Sequence, residues 1–171
     1  MLKEKVENSI NKQIQAEVYS SYLYLAMTAF ATHEGLTGTA NWLKVQAQEE
    51  LTHALRFYQY VNQRGGRVLL LPIEQPPSDF RSMPEIFAAV LKHEEHVTSL
   101  INNLVDIAQE EKDHATVQML QWFVTEQVEE EANANDILNR IKLIGKDGNT
   151  LFMLDKDLGT RVFTPPPDMV I

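Results

Sequence analysis

The sequence contains no cysteine. Disulfides, thiolate zinc sites and iron–sulfur clusters are therefore excluded, although a chain without cysteine fits either redox compartment. Basic residues are few: 15 Lys+Arg stand against 24 Asp+Glu, a formal net charge of −9. A general nucleic-acid binder needs a basic surface, so that class is set aside and a protein that handles cations is favoured. Long apolar runs are missing too. The best candidate, Tyr22 to Ala31, has about ten residues, half of what a bilayer span requires. The opening stretch Met1-Leu-Lys-Glu-Lys-Val-Glu7 is charged and leads into no apolar segment, so no targeting signal and no membrane partner are expected and a cytoplasmic protein is the default. A chain of 171 residues suits a single domain with a core that needs no staples.

Proline and glycine, seven of each, are absent from three long stretches: Met1–Thr32, Thr39–Arg64 and Glu85–Ile144. Stretches this long without breakers read as helices. Ser82-Met-Pro-Glu85 forms a capping box with proline in the first turn. Gly65 and Gly145 suit left-handed stops just past helix ends. The last stretch is too long for one globular helix and divides at Lys112-Asp113-His114, where Asp113 can cap a new start. The expected helices are α1 (4–32), α2 (39–64), α3 (84–112) and α4 (114–144), each about 40 Å long at ~1.5 Å per residue. The α1–α2 and α3–α4 links are short, which makes those pairs antiparallel neighbours. The α2–α3 link is about 17 residues with three prolines and the only β-like run, Val68-Leu-Leu-Leu71. It is long enough to run the length of a bundle, so α2 and α3 are expected to be parallel. The fold class is thus all-α: a four-helix bundle with one long crossover. A short fifth helix, α5, fits 149–157. Residues 1–163 are read as the domain and 164–171, with Pro165-Pro-Pro167, as an extended tail.

A bundle helix should carry apolar residues at alternating three- and four-residue spacing. Here the stripes run Val6, Ile10, Gln13, Glu17, Ser20, Tyr24 in α1 and Leu43, Gln46, Glu50, His53, Phe57, Tyr60 in α2. In α3 the stripe is Phe87, Val90, Glu94, Val97, Ile101, Leu104, and in α4 it is Leu120, Phe123, Gln127, Glu130, Ala134, Ile137, Ile141. Each helix places one glutamate in its own core stripe near its midpoint. Midpoints of bundled helices meet at one level, so Glu17, Glu50, Glu94 and Glu130 should converge there. A single such glutamate is usually an edge residue that snorkels; four at one level are not. Burying one ionised carboxylate costs several kcal/mol, and no lysine or arginine lies near the middle of these stripes. Two divalent cations would balance four carboxylates. Glu50-Leu-Thr-His53 adds an imidazole at i+3 on the same face. An oxygen-rich set with nitrogen as the minority donor favours iron or manganese over structural zinc.

Other residues stay open at this stage. Gln127 reads as a core hydrogen-bonding residue or as a partner of the metal site. Tyr24, two turns after Glu17, reads as core packing or as a donor to a redox centre. Glu49, Glu126 and Glu129 form a second carboxylate layer, either a charged rim or a neighbouring cation site. Two decoys are set aside. Glu111-Lys-Asp-His114 straddles the α3–α4 break and is assigned to capping and solvation, and His93-Glu-Glu-His96 lacks the i,i+4 spacing of a zinc-protease motif and is assigned to a solvated face.

These residues resemble those of the bacterial non-haem ferritins over nearly the whole chain. The phrases that carry the resemblance are Glu17-Val-Tyr-Ser-Ser-Tyr-Leu-Tyr24, Gln48-Glu-Glu-Leu-Thr-His53 and Glu126-Gln-Val-Glu-Glu130, within the same layout of four helices, crossover and short fifth helix. The resemblance implies a ferritin-like fold with one iron held by Glu17, Glu50 and His53 and a second by Glu50, Glu94 and Glu130, Glu50 bridging. It also implies Gln127 and Tyr24 beside this di-iron centre, and a third iron at Glu49, Glu126 and Glu129 with help from Glu130. The implied activity is that of an iron-storage ferritin. Such a ferroxidase takes Fe(II) to Fe(III) with O₂ or H₂O₂ and deposits ferric mineral inside a homo-oligomeric shell of twenty-four chains. Three positions depart from relatives. Gln46 stands where some carry a histidine, Gln127-x-x-Glu130 replaces a second Glu-x-x-His, and Leu51 replaces the haem-ligating methionine of bacterioferritins, so that haem site is not expected.

Two other readings compete. A rubrerythrin-like di-iron peroxidase is weakened by the lack of cysteine for an attached rubredoxin-type iron site. A metal-free structural bundle is opposed by the four midlevel glutamates. The metal reading also gives the acidity an address: without the seven glutamates of the proposed centres, 17 acids face 15 bases, and the net charge falls from −9 to −2.

Overall fold

The computed structural model describes residues 2–145 and 147–165. Its elements are α1 (Glu4–His33), α2 (Thr37–Gln63), α3 (Met83–Glu110), α4 (His114–Ile144) and α5 (Gly148–Leu158). Among the described residues there is no strand, and Val68-Leu-Leu-Leu71 is irregular chain. From residue 166 onward the proline-rich tail lies outside the described residues.

The helix ends follow the cap chemistry with one variation. Gly65 and Gly145 take φ of 71° and 65°, the left-handed values expected at stops. The Asp113 side chain accepts from the backbone N–H of Thr116 at 3.2 Å and starts α4. The Ser82 hydroxyl accepts from Glu85 N–H at 3.4 Å, while the Glu85 carboxylate accepts from Arg81 N–H at 2.5 Å, one residue before the position the capping box names.

Two apolar clusters establish the topology. One joins Leu23, Met27 and Ala31 of α1 to Ala40 and Leu43 of α2, Ile86, Phe87 and Val90 of α3, and Ala134, Ile137 and Ile141 of α4. The other joins Val6, Ile10 and Ile14 to Phe57 and Val61, to Val97, Ile101 and Leu104, and to Leu120 and Phe123. The C-terminal half of α1 and the N-terminal half of α2 therefore share one end of the bundle, so that pair is antiparallel. The same comparison makes α3 and α4 antiparallel, and α2 and α3 parallel. The crossover that parallel packing requires is pinned along α1. Asn11 donates to Arg67 O at 3.1 Å and accepts from Leu69 N–H at 2.9 Å, and Glu7 accepts from Arg67 N–H at 3.2 Å. At its far end α2 is tied to the α3–α4 joint by Arg64, whose Nη2 lies 3.2 Å from the Asp113 carboxylate.

Helix α2 begins at Thr37, two residues before the expected start. The cause lies in α5. The buried Asp155 carboxylate accepts from Gly38 N–H at 3.0 Å and from Thr39 N–H and Oγ1 at 2.7 Å, capping α2 from another helix. Gly38 makes this approach possible: a Cβ there would sit 1.5 Å from the Asp155 carbonyl oxygen, a backbone atom. Gly38→Ala should lower stability by about 1–3 kcal/mol through overpacking at the α2–α5 contact. Chemical denaturation checks this, and an unchanged midpoint would contradict the contact.

Candidate metal centre

The two apolar clusters do not meet in the middle. Along α1 the lower cluster ends at Ile14 and the upper begins at Leu23; the corresponding gaps are Ala47–Phe57, Val90–Val97 and Phe123–Ala134. Each gap holds that helix's midlevel glutamate. Glu17, Glu50 and Glu94 are each 1% exposed and Glu130 is 6% exposed, with His53 and Gln127 buried beside them. The bundle thus has a polar floor between two apolar storeys.

Glu17, Glu50 and His53 form the tightest group, each offering one ligand atom within 4.8 Å of the others. His53 Nδ1 lies 3.5 Å from Glu50 Oε2 and 4.0 Å from Glu17 Oε2. The imidazole is steadied by the edges of Trp122 and Phe123, with ring centroids at 5.4 and 5.9 Å. Glu17 Oε2 is buried and, among the described residues, accepts no hydrogen bond. Glu94 and Glu130 face Glu50 from α3 and α4 and raise its pKa by repulsion.

Burial pushes all four carboxyl groups toward the protonated form, and repulsion among them adds to it for Glu17, Glu50 and Glu130. Glu17 is raised well above its usual range by burial and then by Glu50. Glu50 is raised by burial, Glu94 and Glu130. Glu94 is raised by burial, against hydrogen bonds from Tyr24 and Gln127. Glu130 is pushed from 4.5 to about 8 by burial and by Glu94. The neutral donors around them are positioned to orient oxygen atoms. Gln13 donates to Glu17 Oε1 at 2.8 Å, and Gln46 donates to Glu130 Oε2 at 2.6 Å and Glu50 Oε1 at 3.4 Å. Gln127 donates to Glu94 Oε2 at 3.2 Å, and the Tyr24 hydroxyl donates to Glu94 Oε1. Tyr24 is fully buried and its own pKa is raised by burial and by Glu94, which keeps the phenol protonated.

One expectation needs correction. His93 is not on a solvated face. It turns toward α1, shares a 2.8 Å hydrogen bond with Ser20 Oγ, and meets Tyr24 edge-on at 5.9 Å. Burial lowers its pKa to about 4, so the ring is neutral. His96, three residues on, is exposed as expected. The expectation that no lysine or arginine lies near the middle of the stripes stands, with one addition at the rim. Arg161, beyond α5, reaches the outer layer: Nη1 donates to Gln46 Oε1 at 2.7 Å and Nη2 to Glu49 Oε2 at 2.5 Å. Glu49, Glu126 and Glu129 do share one cavity, of about 300 Å³, with His53, Glu130 and Arg161 on its wall. Glu111 caps α3 and pairs with Lys3 at 3.3 Å, consistent with the capping reading of that motif.

The donor set fits divalent iron. It offers carboxylate oxygens and one imidazole nitrogen in a buried layer, and Glu17 Oε2 has no hydrogen-bond partner among the described residues. A sign follows for pH. The folded chain holds protons on these carboxyl groups that the unfolded chain releases near 4.5, up to about 8 for Glu130. Between those values the folded state binds more protons, so stability must fall as pH rises. The cation-free protein should show a melting temperature that declines from about pH 5 to about pH 8, a decline that Glu130→Gln makes shallower and a divalent cation offsets. Thermal scans across that range check it; a rising curve would contradict the assignment.

The family model for the ferritin-like domain matches residues 7–144. A bacterial non-heme ferritin of Bacteroides fragilis is 45% identical over 161 residues, covering 94% of this chain and all of that one. A bacterial non-heme ferritin of Staphylococcus aureus is 39% identical over 163 residues, covering 95% and 98%. Among solved structures, an engineered closed form of the Archaeoglobus fulgidus ferritin superposes with a TM-score of 0.94 at 49% identity, covering 96% of this chain and all of that one. The open-pore ferritin of the same archaeon gives 0.93 at 48% identity, covering 94% and 98%. The chain belongs to the ferritin family.

Proposed function

We propose that this protein is an iron-storage ferritin with ferroxidase activity. The observation that carries the reading is the buried layer of four carboxylates and one histidine, closed above and below by apolar packing. Glu17, Glu50 and His53 would take one Fe(II). Glu50, Glu94 and Glu130 would take the other, with Glu50 shared and Gln127 orienting Glu94. Binding replaces the protons on these carboxyl groups. Two Fe(II) ions give up two electrons together: O₂ with two protons becomes H₂O₂, or H₂O₂ with two protons becomes two waters. Anionic oxygen donors favour the Fe(III) product. Tyr24 would hold Glu94 in place beside the second iron through its hydroxyl hydrogen bond. Glu49, Glu126 and Glu129, with Glu130, would hold a third iron in the adjoining cavity on its way to a ferric mineral.

The surface supports a homo-oligomeric shell, for which we propose twenty-four copies. Tyr22 and Leu25 of α1 and Leu51 and Tyr58 of α2 are 41–49% exposed, and Leu143, Phe152 and Met153 near α5 are 68–87% exposed. Side chains of this size in groups mark association surfaces. No described helix is long and apolar enough to cross a membrane, and we place the shell in the cytoplasm. No haem is proposed, because Leu51 offers no ligand atom.

Purified protein given Fe(II) in air should develop ferric absorbance and elute as a large particle by light scattering. Glu50→Ala combined with His53→Ala should slow oxidation by more than about 100-fold, since loss of a mere hydrogen-bond partner of a metal ligand costs roughly 10–100-fold. Unchanged rates would mean that the centre lies elsewhere.

A further inference from the structure

Arg161 lies three residues past the end of α5, yet its guanidinium sits at the wall of the outer carboxylate cavity. Its placement is built by several contacts. Asn41 Nδ2 donates to Arg161 O at 2.9 Å and to Gly159 O at 3.3 Å. Just upstream, Asp155 is held by Gly38 and Thr39 at 2.7–3.0 Å. The guanidinium then lies over the Trp42 ring, 4.5 Å from its centroid. Trp42, Gln46 and Glu49 are spaced i, i+4, i+7, so they line one face of α2, and Arg161 contacts all three.

Two chemical consequences follow. Guanidinium only donates, so Gln46 must turn its carbonyl oxygen to Arg161 and its NH₂ to Glu130 and Glu50. Arg161 thereby fixes which way the amide points into the buried layer. Arg161 also occupies Glu49, the one acid of the outer cavity that α2 supplies, and neutralises part of a charge shared with Glu126 and Glu129. The pair is partly exposed, 22% for Arg161 and 25% for Glu49. Pairs of that exposure are weak enough for a divalent ion to displace.

We infer that Arg161 is a tethered counter-cation that competes with iron for Glu49, so that the outer cavity binds its cation more weakly than the buried centre and fills after it. This inference rests on the ferritin reading above. Arg161 acts as a specificity-setting and positioning residue, touching no ligand of the Glu17–Glu50–His53 position. An arriving divalent ion replaces one positive charge with two, and the arginine, still held by Asn41 through its backbone, swings off Glu49 without leaving the site.

The test is calorimetric titration of the assembled protein with Zn(II) alone, a redox-inert probe that separates binding from oxidation. The wild type should show a tight class and a weaker third site. Arg161→Gln should tighten the third site about tenfold, the effect of removing one positive charge a few ångströms from a divalent ion in a wet site. The tight class, which Arg161 reaches through Gln46, reports that the buried centre is assembled in each variant. Arg161→Lys, which keeps the charge, should hold the third affinity within about threefold of wild type. Asn41→Ala, which loosens the tether, should shift it in the same direction as Arg161→Gln by less. A third affinity that is unchanged or weaker in Arg161→Gln, with the tight class present, overturns the competition and leaves the ferritin reading standing. Absence of any tight class in the wild type overturns both.

Discussion

An ionised carboxylate in a helical core costs several kcal/mol unless something pairs with it, and this bundle puts four at one level. That single constraint organises the rest. The core cannot be continuous, so it is divided into two apolar clusters, each anchored by large buried side chains: Tyr24, Phe87 and Met27 on one side, Phe57 and Phe123 on the other. The Phe57 and Phe123 rings stack 4.0 Å apart, and Phe123 meets the His53 ring edge-on at 5.9 Å. The layer between can rest only by holding protons or by holding cations. Protons relieve the charge; cations would relieve it and also engage Glu17 Oε2, which has no hydrogen-bond partner among the described residues. This is the physical ground on which the layer is proposed to take up metal.

The neutral groups around the layer follow from the same constraint. Glutamines and a tyrosine, not lysines, orient the carboxylates, because a fixed positive charge inside would take the cation's place. Gln13, Gln46 and Gln127 each give an N–H to a glutamate while adding no charge. Arg161 stays at the rim, on Glu49, and meets the inner layer through the Gln46 amide. Inner and outer carboxylates are thus electrically distinct, although Glu49 and Glu50 are neighbours in the chain.

Much of this was legible in the residues. Glycine- and proline-free stretches marked the helices, the length of the second link required parallel α2 and α3, and the interrupted apolar stripes named the level and the four glutamates. Gln13 and Gln46 were visible in those stripes as polar intrusions, and an i−4 offset from Glu17 and Glu50 was the available signal for their role. His93 was misjudged because the spacing of two histidines tests for a zinc motif and says nothing about burial; only its packing against Ser20 and Tyr24 does. The start of α2 was placed late because its cap, Asp155, comes from 116 residues away. Arg161 was invisible for the same reason: its site depends on how α5 docks, and no local period records that.

Iron is expected in the layer between the two apolar clusters. Anomalous diffraction at the iron edge from crystals soaked anaerobically in Fe(II) tests it most directly. Two peaks per chain are predicted within the bundle, one touching Glu17, Glu50 and His53 and the other touching Glu50, Glu94 and Glu130. Iron found only at the protein surface, with no peak between the helices, would contradict the account.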